Sequence, residues 1–145
     1  MNRITFSPLR LEFVGDTNGV PTFRLYEPLT LHFSLNGGGI RVLVPAGFVT
    51  DFYSIPGKRL RARADIQLKD VLSYKEPSVL HDYLYRTGKI GDRRIAQKEA
   101  DALMLEALQR KGLPQQQIAK TYAGVRVGGS PAWWLRRKME QMGVS

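Results

Sequence analysis

The sequence predicts an α+β fold, with an N-terminal antiparallel β-meander packed against a C-terminal helical half that contains an antiparallel helix hairpin. Three observations predict it. Apolar residues alternate with polar ones at Leu9, Leu11 and Phe13, at Phe23 and Leu25, at Leu29, Leu31 and Phe33, and at Ile40, Val42 and Val44. Turn-forming runs, Asp16-Thr17-Asn18-Gly19 and Asn36-Gly37-Gly38-Gly39, separate these segments, because Asn and Gly accept positive φ. Further on, Ala100, Leu103, Met104, Ala107 and Leu108 recur at helical spacing. The 145 residues read as a single domain, mainly β over 1–56 and mainly α over 74–142. Such a length buries roughly 68% of the unfolded surface.

Pro28 marks a break or an edge position between strands. His32 falls on the polar face with Thr30 and Ser34, which predicts a solvated strand residue. Gly37–Gly39 lacks the Lys-Ser/Thr that follows a phosphate loop, so it reads as a hairpin turn. Val44-Pro-Ala-Gly-Phe-Val-Thr-Asp-Phe-Tyr-Ser-Ile-Pro56 is a short apolar strand that ends in polar groups. There Asp51 and Ser54 form either a turn-and-cap pair or a carboxylate and hydroxyl delivered to a site. Lys58 to Ser73 is basic and weakly periodic, a mobile surface segment.

Glu76-Pro77-Ser78 opens a helix, since Pro suits a first turn. Gly88 and Gly91 turn the chain into a second helix through Gln97–Leu108, which Gly112 ends. Pro114 opens a third, carrying Ile118, Tyr122 and Val125. Gly128-Gly129 is expected to break it, and Ser130-Pro131 to start a last helix with Trp133, Trp134 and Arg136-Arg137-Lys138.

The formal net charge of +9 points to an anionic partner, whether nucleic acid, an anionic surface or acidic protein, or else serves solubility. The absence of cysteine excludes disulfides and thiolate metal sites. No apolar run approaches the roughly 18 residues of a transmembrane helix. Met1-Asn-Arg-Ile-Thr-Phe6 lacks a signal's apolar core, which predicts a chain kept in the cytoplasm.

The chemistry concentrates in Val79-Leu-His-Asp-Tyr-Leu-Tyr85. On a helix His81 and Tyr85 share a face, and imidazole and carboxylate groups among leucines need partners. In a hairpin centred near Gly91, His81 and Asp101 each lie ten residues from the turn and face one another. Asp101 sits at the edge of the second helix's apolar stripe, which predicts partial burial. A His backed by an Asp is the minimal general base, with Asp101 orienting His81 and Tyr85 on the same face as a further catalytic candidate. Asp51 and Asp82 are hard oxygen ligands suited to Ca²⁺ or Mg²⁺. The same residues also suit a buried polar network that pins helices to a sheet.

Other templates fit less. His-Asp phosphohydrolases need more histidines than His32 and His81, and no Gly-x-Ser-x-Gly elbow is present. His81-Asp82-x-x-Tyr85 is similar to the site helix of secreted phospholipases A2, but the disulfides and glycine-rich calcium loop of those enzymes are missing.

Taken together, the Val44–Pro56, Val79–Tyr85 and Ala100–Leu108 stretches resemble the phage and prophage proteins catalogued as domain of unknown function 1353. The resemblance runs from about Gly39 to Trp134, departing at Tyr53 and Gly57. Asp51, Ser54, His81, Asp82, Tyr85 and Asp101 fall on its motif positions. It implies a phage or prophage gene and a product made in the host bacterial cytoplasm, with incorporation in the virion a further expectation. It implies no activity. The leading expectation is a virion- or tail-associated accessory protein that binds other phage structural or assembly proteins through its basic surface and Trp133, Trp134, Arg136 and Arg137. The alternative is a small hydrolase of envelope lipid or cell wall, with His81 as base, Asp101 as its orienter and Asp51 and Asp82 holding a divalent cation. A nucleic-acid-binding role comes third, with affinity falling steeply as salt rises.

Overall fold

A computed structural model describes residues 3–17, 20–35, 38–50 and 75–143. The expected turn residues Asn18, Gly19, Asn36 and Gly37, the candidate site residues Asp51 and Ser54, and the basic segment 58–73 lie outside them.

The described chain has an antiparallel β half followed by a helical half, the α+β fold that the sequence predicts. Strands β1 (Arg3–Phe6), β4 (Leu29–Leu35) and β5 (Gly38–Val44) form one sheet in the order β1-β4-β5. Strands β2 (Leu11–Thr17), β3 (Val20–Leu25) and β6 (Val49–Thr50) form a second, in the order β2-β3-β6. Helix α1 (Lys75–Thr87) is joined to α2 (Gln97–Arg110) by the small ladder of β7 (Lys89–Ile90) and β8 (Arg93–Arg94). Helix α3 (Gln115–Gln141) completes the described chain.

Alternation does its work most clearly in the first sheet. Leu29, Leu31 and Phe33 of β4 and Val42 and Val44 of β5 are buried, while His32 is exposed on the opposite face as expected. Against that apolar face pack Val79, Leu80 and Leu84 of α1 with Ala100, Leu103 and Ala107 of α2. Met104 and Leu108 turn the other way, onto Ile118 and Val125 of α3. Phe13 departs from the pattern. It lies on β2, an outer strand, is 61% exposed, and rests edge-on against Phe23 at 5.9 Å.

The reversal between α1 and α2 is centred where the glycines predict. Gly88 (φ 64°) ends α1, and Gly91 (φ 61°) opens the turn between Ile90 and its partner Arg93. Both need the left-handed region that glycine enters without penalty.

The break expected at Gly128–Pro131 does not occur: α3 runs 27 residues through it, with Pro131 inside. Glycine and proline weaken a helix locally, but buried contacts on either side of them decide the outcome. Pro131 removes the backbone donor that would serve the carbonyl four residues earlier, and the Ser130 hydroxyl donates to the neighbouring Arg126 carbonyl at 3.3 Å. Pro131→Ala is therefore expected to raise stability by about 1–3 kcal/mol. Urea unfolding measures it, and an unchanged midpoint would mean that Pro131 begins a separate helix.

Candidate functional site

The centre of the site is the Asp101 carboxylate of α2, with no exposed surface. Its Oδ1 accepts a hydrogen bond from His81 Nε2 at 2.9 Å and another from the Tyr85 hydroxyl at 2.7 Å. Its Oδ2 accepts one from Arg126 Nη1 of α3 at 2.7 Å. The pairing of His81 with Asp101 is the one that the turn at Gly91 predicts. Burial is complete instead of partial, because α3 lays Arg126 over the edge of the α2 stripe.

Burial by itself would raise the Asp101 carboxyl, but the hydrogen bonds from His81, Tyr85 and Arg126 outweigh it and hold the group below the usual carboxylate range. Burial and the hydrogen bond to Asp101 push the Tyr85 hydroxyl well above its ordinary value, so it stays protonated and donates. An ionised carboxylate only accepts, so the proton shared with His81 sits on Nε2. In the neutral imidazole Nδ1 is then an acceptor. It is buried and has no hydrogen-bond partner among the described residues.

The network continues to the surface. Gln97 Nε2 donates to the Tyr85 oxygen at 3.2 Å and to Ser130 Oγ at 3.1 Å. The Tyr85 ring lies 4.1 Å from the His81 ring and meets Trp133 edge-on at 5.1 Å. Gly129 faces this cluster, and a Cβ there would stand 2.5 Å from the Tyr85 hydroxyl oxygen. The glycine that read as a helix breaker is the gap into which Tyr85 fits.

The remaining predicted residues divide. Asp82 Oδ1 pairs with Arg86 at 3.3 Å, and Arg86 also donates to the Val49 carbonyl at 2.9 Å. The strand that leads towards Asp51 thus ends against α1. Among the described residues no three metal-ligating side chains cluster. Trp133 is half-buried against Tyr85 and Arg137, whereas Trp134 and Arg136 are exposed. Arg137 is engaged internally, donating from Nη2 to the carbonyls of Tyr85 and Arg86 at 2.9 and 3.2 Å. It closes the C-terminal end of α1, where orphan carbonyls favour a cation. A cavity of about 490 Å³ beside it is lined by Gly88, Arg94, Ile95, Trp133, Arg137 and Glu140. Glu140 already pairs with both arginines, at 3.4 and 3.2 Å.

Sequence reasoning missed Arg126 and Gln97. Arg126 lies on one helical stripe with Tyr122, Gly129 and Trp133, and a cation in such a stripe is a signal for a buried carboxylate opposite.

Residues 23–125 match the sequence model of a family described as Protein of unknown function (DUF1353). Neither the curated proteins nor the solved structures include a match.

Asp101→Asn sets a donor amide among the donors of His81, Tyr85 and Arg126 at a fully buried position and is expected to cost about 1–3 kcal/mol. The folded carboxyl ionises below its unfolded value of about 3.9, so its stabilisation is complete above that pH and drains away as pH falls through the folded value. Unfolding free energies across the acid range should therefore slope less in Asp101→Asn than in the wild type; parallel slopes would contradict the assignment. Gly129→Ala tests the close approach. Alanine is favoured over glycine in a helix by about 1 kcal/mol, yet this variant should lose about 1–3 kcal/mol in a melt. A gain would show that Tyr85 yields freely.

Proposed function

Since the chain belongs to that family, whose description assigns no activity, we propose its function from the site: a small hydrolase in which His81 is the general base. One observation carries the reading: His81 Nε2 is tied to a buried, ionised carboxylate at 2.9 Å, while Nδ1 has no partner among the described residues. A nitrogen buried without a partner is costly, and the Asp101 network alone does not require it. Nδ1 takes the proton of a water as its oxygen attacks an acyl or phosphoryl centre, and returns it to the leaving group. Asp101 holds the tautomer and stabilises the imidazolium that forms. Tyr85 and Arg126 position Asp101 without reaching the substrate. His81 is only 1% exposed, and in such a buried setting the attraction between imidazolium and carboxylate is stronger than in water.

The likeness to phage and prophage proteins favours a substrate in the bacterial envelope, a lipid ester or a cell-wall bond, met during infection or lysis. A divalent cation at Asp82 and Asp51 stays part of the proposal as a chemical match of hard oxygen donors, and no step above depends on it. The accessory reading, through contacts with other phage proteins, keeps Trp134 and Arg136 as its exposed residues; Arg137 and one side of Trp133 are committed inside the protein.

Hydrolysis of phosphatidylglycerol vesicles and of purified peptidoglycan, with and without Ca²⁺ or Mg²⁺, tests the proposal. The wild type should cleave one of them, and His81→Gln should fall by roughly 10²–10⁴-fold with an unchanged near-ultraviolet spectrum. Nitrogen NMR of the His81 ring should show the proton on Nε2. No cleavage of either substrate, together with a proton on Nδ1, would reduce the pair to a structural strut.

A further inference from the structure

Helix α3 turns an apolar face away from the protein. Its inner side is accounted for: Trp133 meets Tyr85, Arg137 reaches the end of α1, and Glu140 pairs with Arg94. At 3.6 residues per turn, Pro131, Trp134, Leu135 and Met142 fall on the opposite side. There Trp134 is 61% exposed, Leu135 55% and Met142 75%. A helix packed along one side carries polar residues on the other. Over this stretch the pattern is inverted, and such a face signals a docking surface.

Lys138 lies on this face and holds its ammonium 5.5 Å from the centre of the Trp134 ring, with exposed Gln141 at its edge. Arg136 is exposed further round the helix, about 100° from Leu135. We propose that the face from Pro131 to Met142 docks on an anionic phospholipid membrane, with the helix lying in the plane of the interface. Trp134, Leu135 and Met142 enter the boundary of headgroups and acyl chains, and Lys138 and Arg136 meet the phosphates.

Three features select a lipid surface. Indole rings settle at the headgroup level, and a lysine beside one extends its stem along apolar surface while its charge stays wet. The face is about 18 Å long, enough to lie on a membrane. No helix among the described residues is long and apolar enough to cross one. The net charge of +9 complements an anionic leaflet. Nucleic acid would engage Trp134 and the cations but would leave Leu135 and Met142 without a role. The proposal uses no residue of the His81 network.

Co-sedimentation with vesicles of phosphatidylglycerol mixed with phosphatidylcholine, against phosphatidylcholine alone, tests it. The His81→Gln protein is used throughout, so that lipid cleavage does not enter. Binding should favour the anionic vesicles and weaken with salt. It should drop by roughly tenfold or more in Trp134→Ser/Leu135→Ser, whose side chains are exposed and not needed for the core. Arg136→Glu/Lys138→Glu should abolish the preference for anionic lipid and serves as the second variant should the first fail to fold. Failure to bind anionic vesicles, or equal binding by both variants, overturns the proposal. Self-association removed by the same substitutions, without vesicle binding, would also overturn it and assign the face to a second copy of the chain.

Discussion

The arrangement of the helical half depends on one buried negative charge. A carboxylate with no exposed surface is tolerable only where both its oxygens are met by donors, and Asp101 collects three, two from α1 and one from α3. Each donor sets a constraint on its own helix. His81 and Tyr85 fix the register of α1 against α2, and Arg126 fixes the rotation of α3. Replacement by well-packed apolar side chains would often be as stable. What the charge adds here is a single permitted arrangement of three helices, together with a histidine whose tautomer is decided by its neighbour.

That division of labour gives His81 two unlike edges. Nε2 donates to the Asp101 carboxylate, and Nδ1 has no hydrogen-bond partner among the described residues. Asp82, beside His81 in sequence, points elsewhere and pairs with Arg86, which links α1 to the end of β6 through the Val49 carbonyl. The adjacent residues of the His-Asp doublet therefore serve different neighbours, and the partner that matters for His81 is twenty residues away.

Much of this was legible in the sequence. Period-two alternation identified the buried face of β4 and β5, because both strands have one face on the core. Counting outward from Gly91 paired His81 with Asp101, because a short antiparallel helix hairpin leaves little freedom of register. The rest was hidden for physical reasons. The stripe of Tyr122, Arg126, Gly129 and Trp133 signals a buried carboxylate but does not name it, because Asp101 becomes the partner only once α3 is packed against α2. Gly128-Gly129-Ser130-Pro131 has every local mark of a break, yet Gly129 is needed as an empty place beside Tyr85, and the helix continues because contacts before and after it outweigh propensity. Pairing of β1 with β4, passing over β2 and β3, is a non-local choice that alternation does not encode.

Helix α3 touches the end of α1 at two places. Tyr85 sits against Gly129 with its side chain and is bonded by Arg137 through its carbonyl. These contacts are eight residues apart on α3, about 12 Å along its axis. One point of attachment would leave a rod free to swivel; two fix both its direction and its roll. The end of α3 is therefore a rigid lever, and its outward side keeps one bearing relative to His81. Anything that seats on that side meets the rest of the protein in a single orientation.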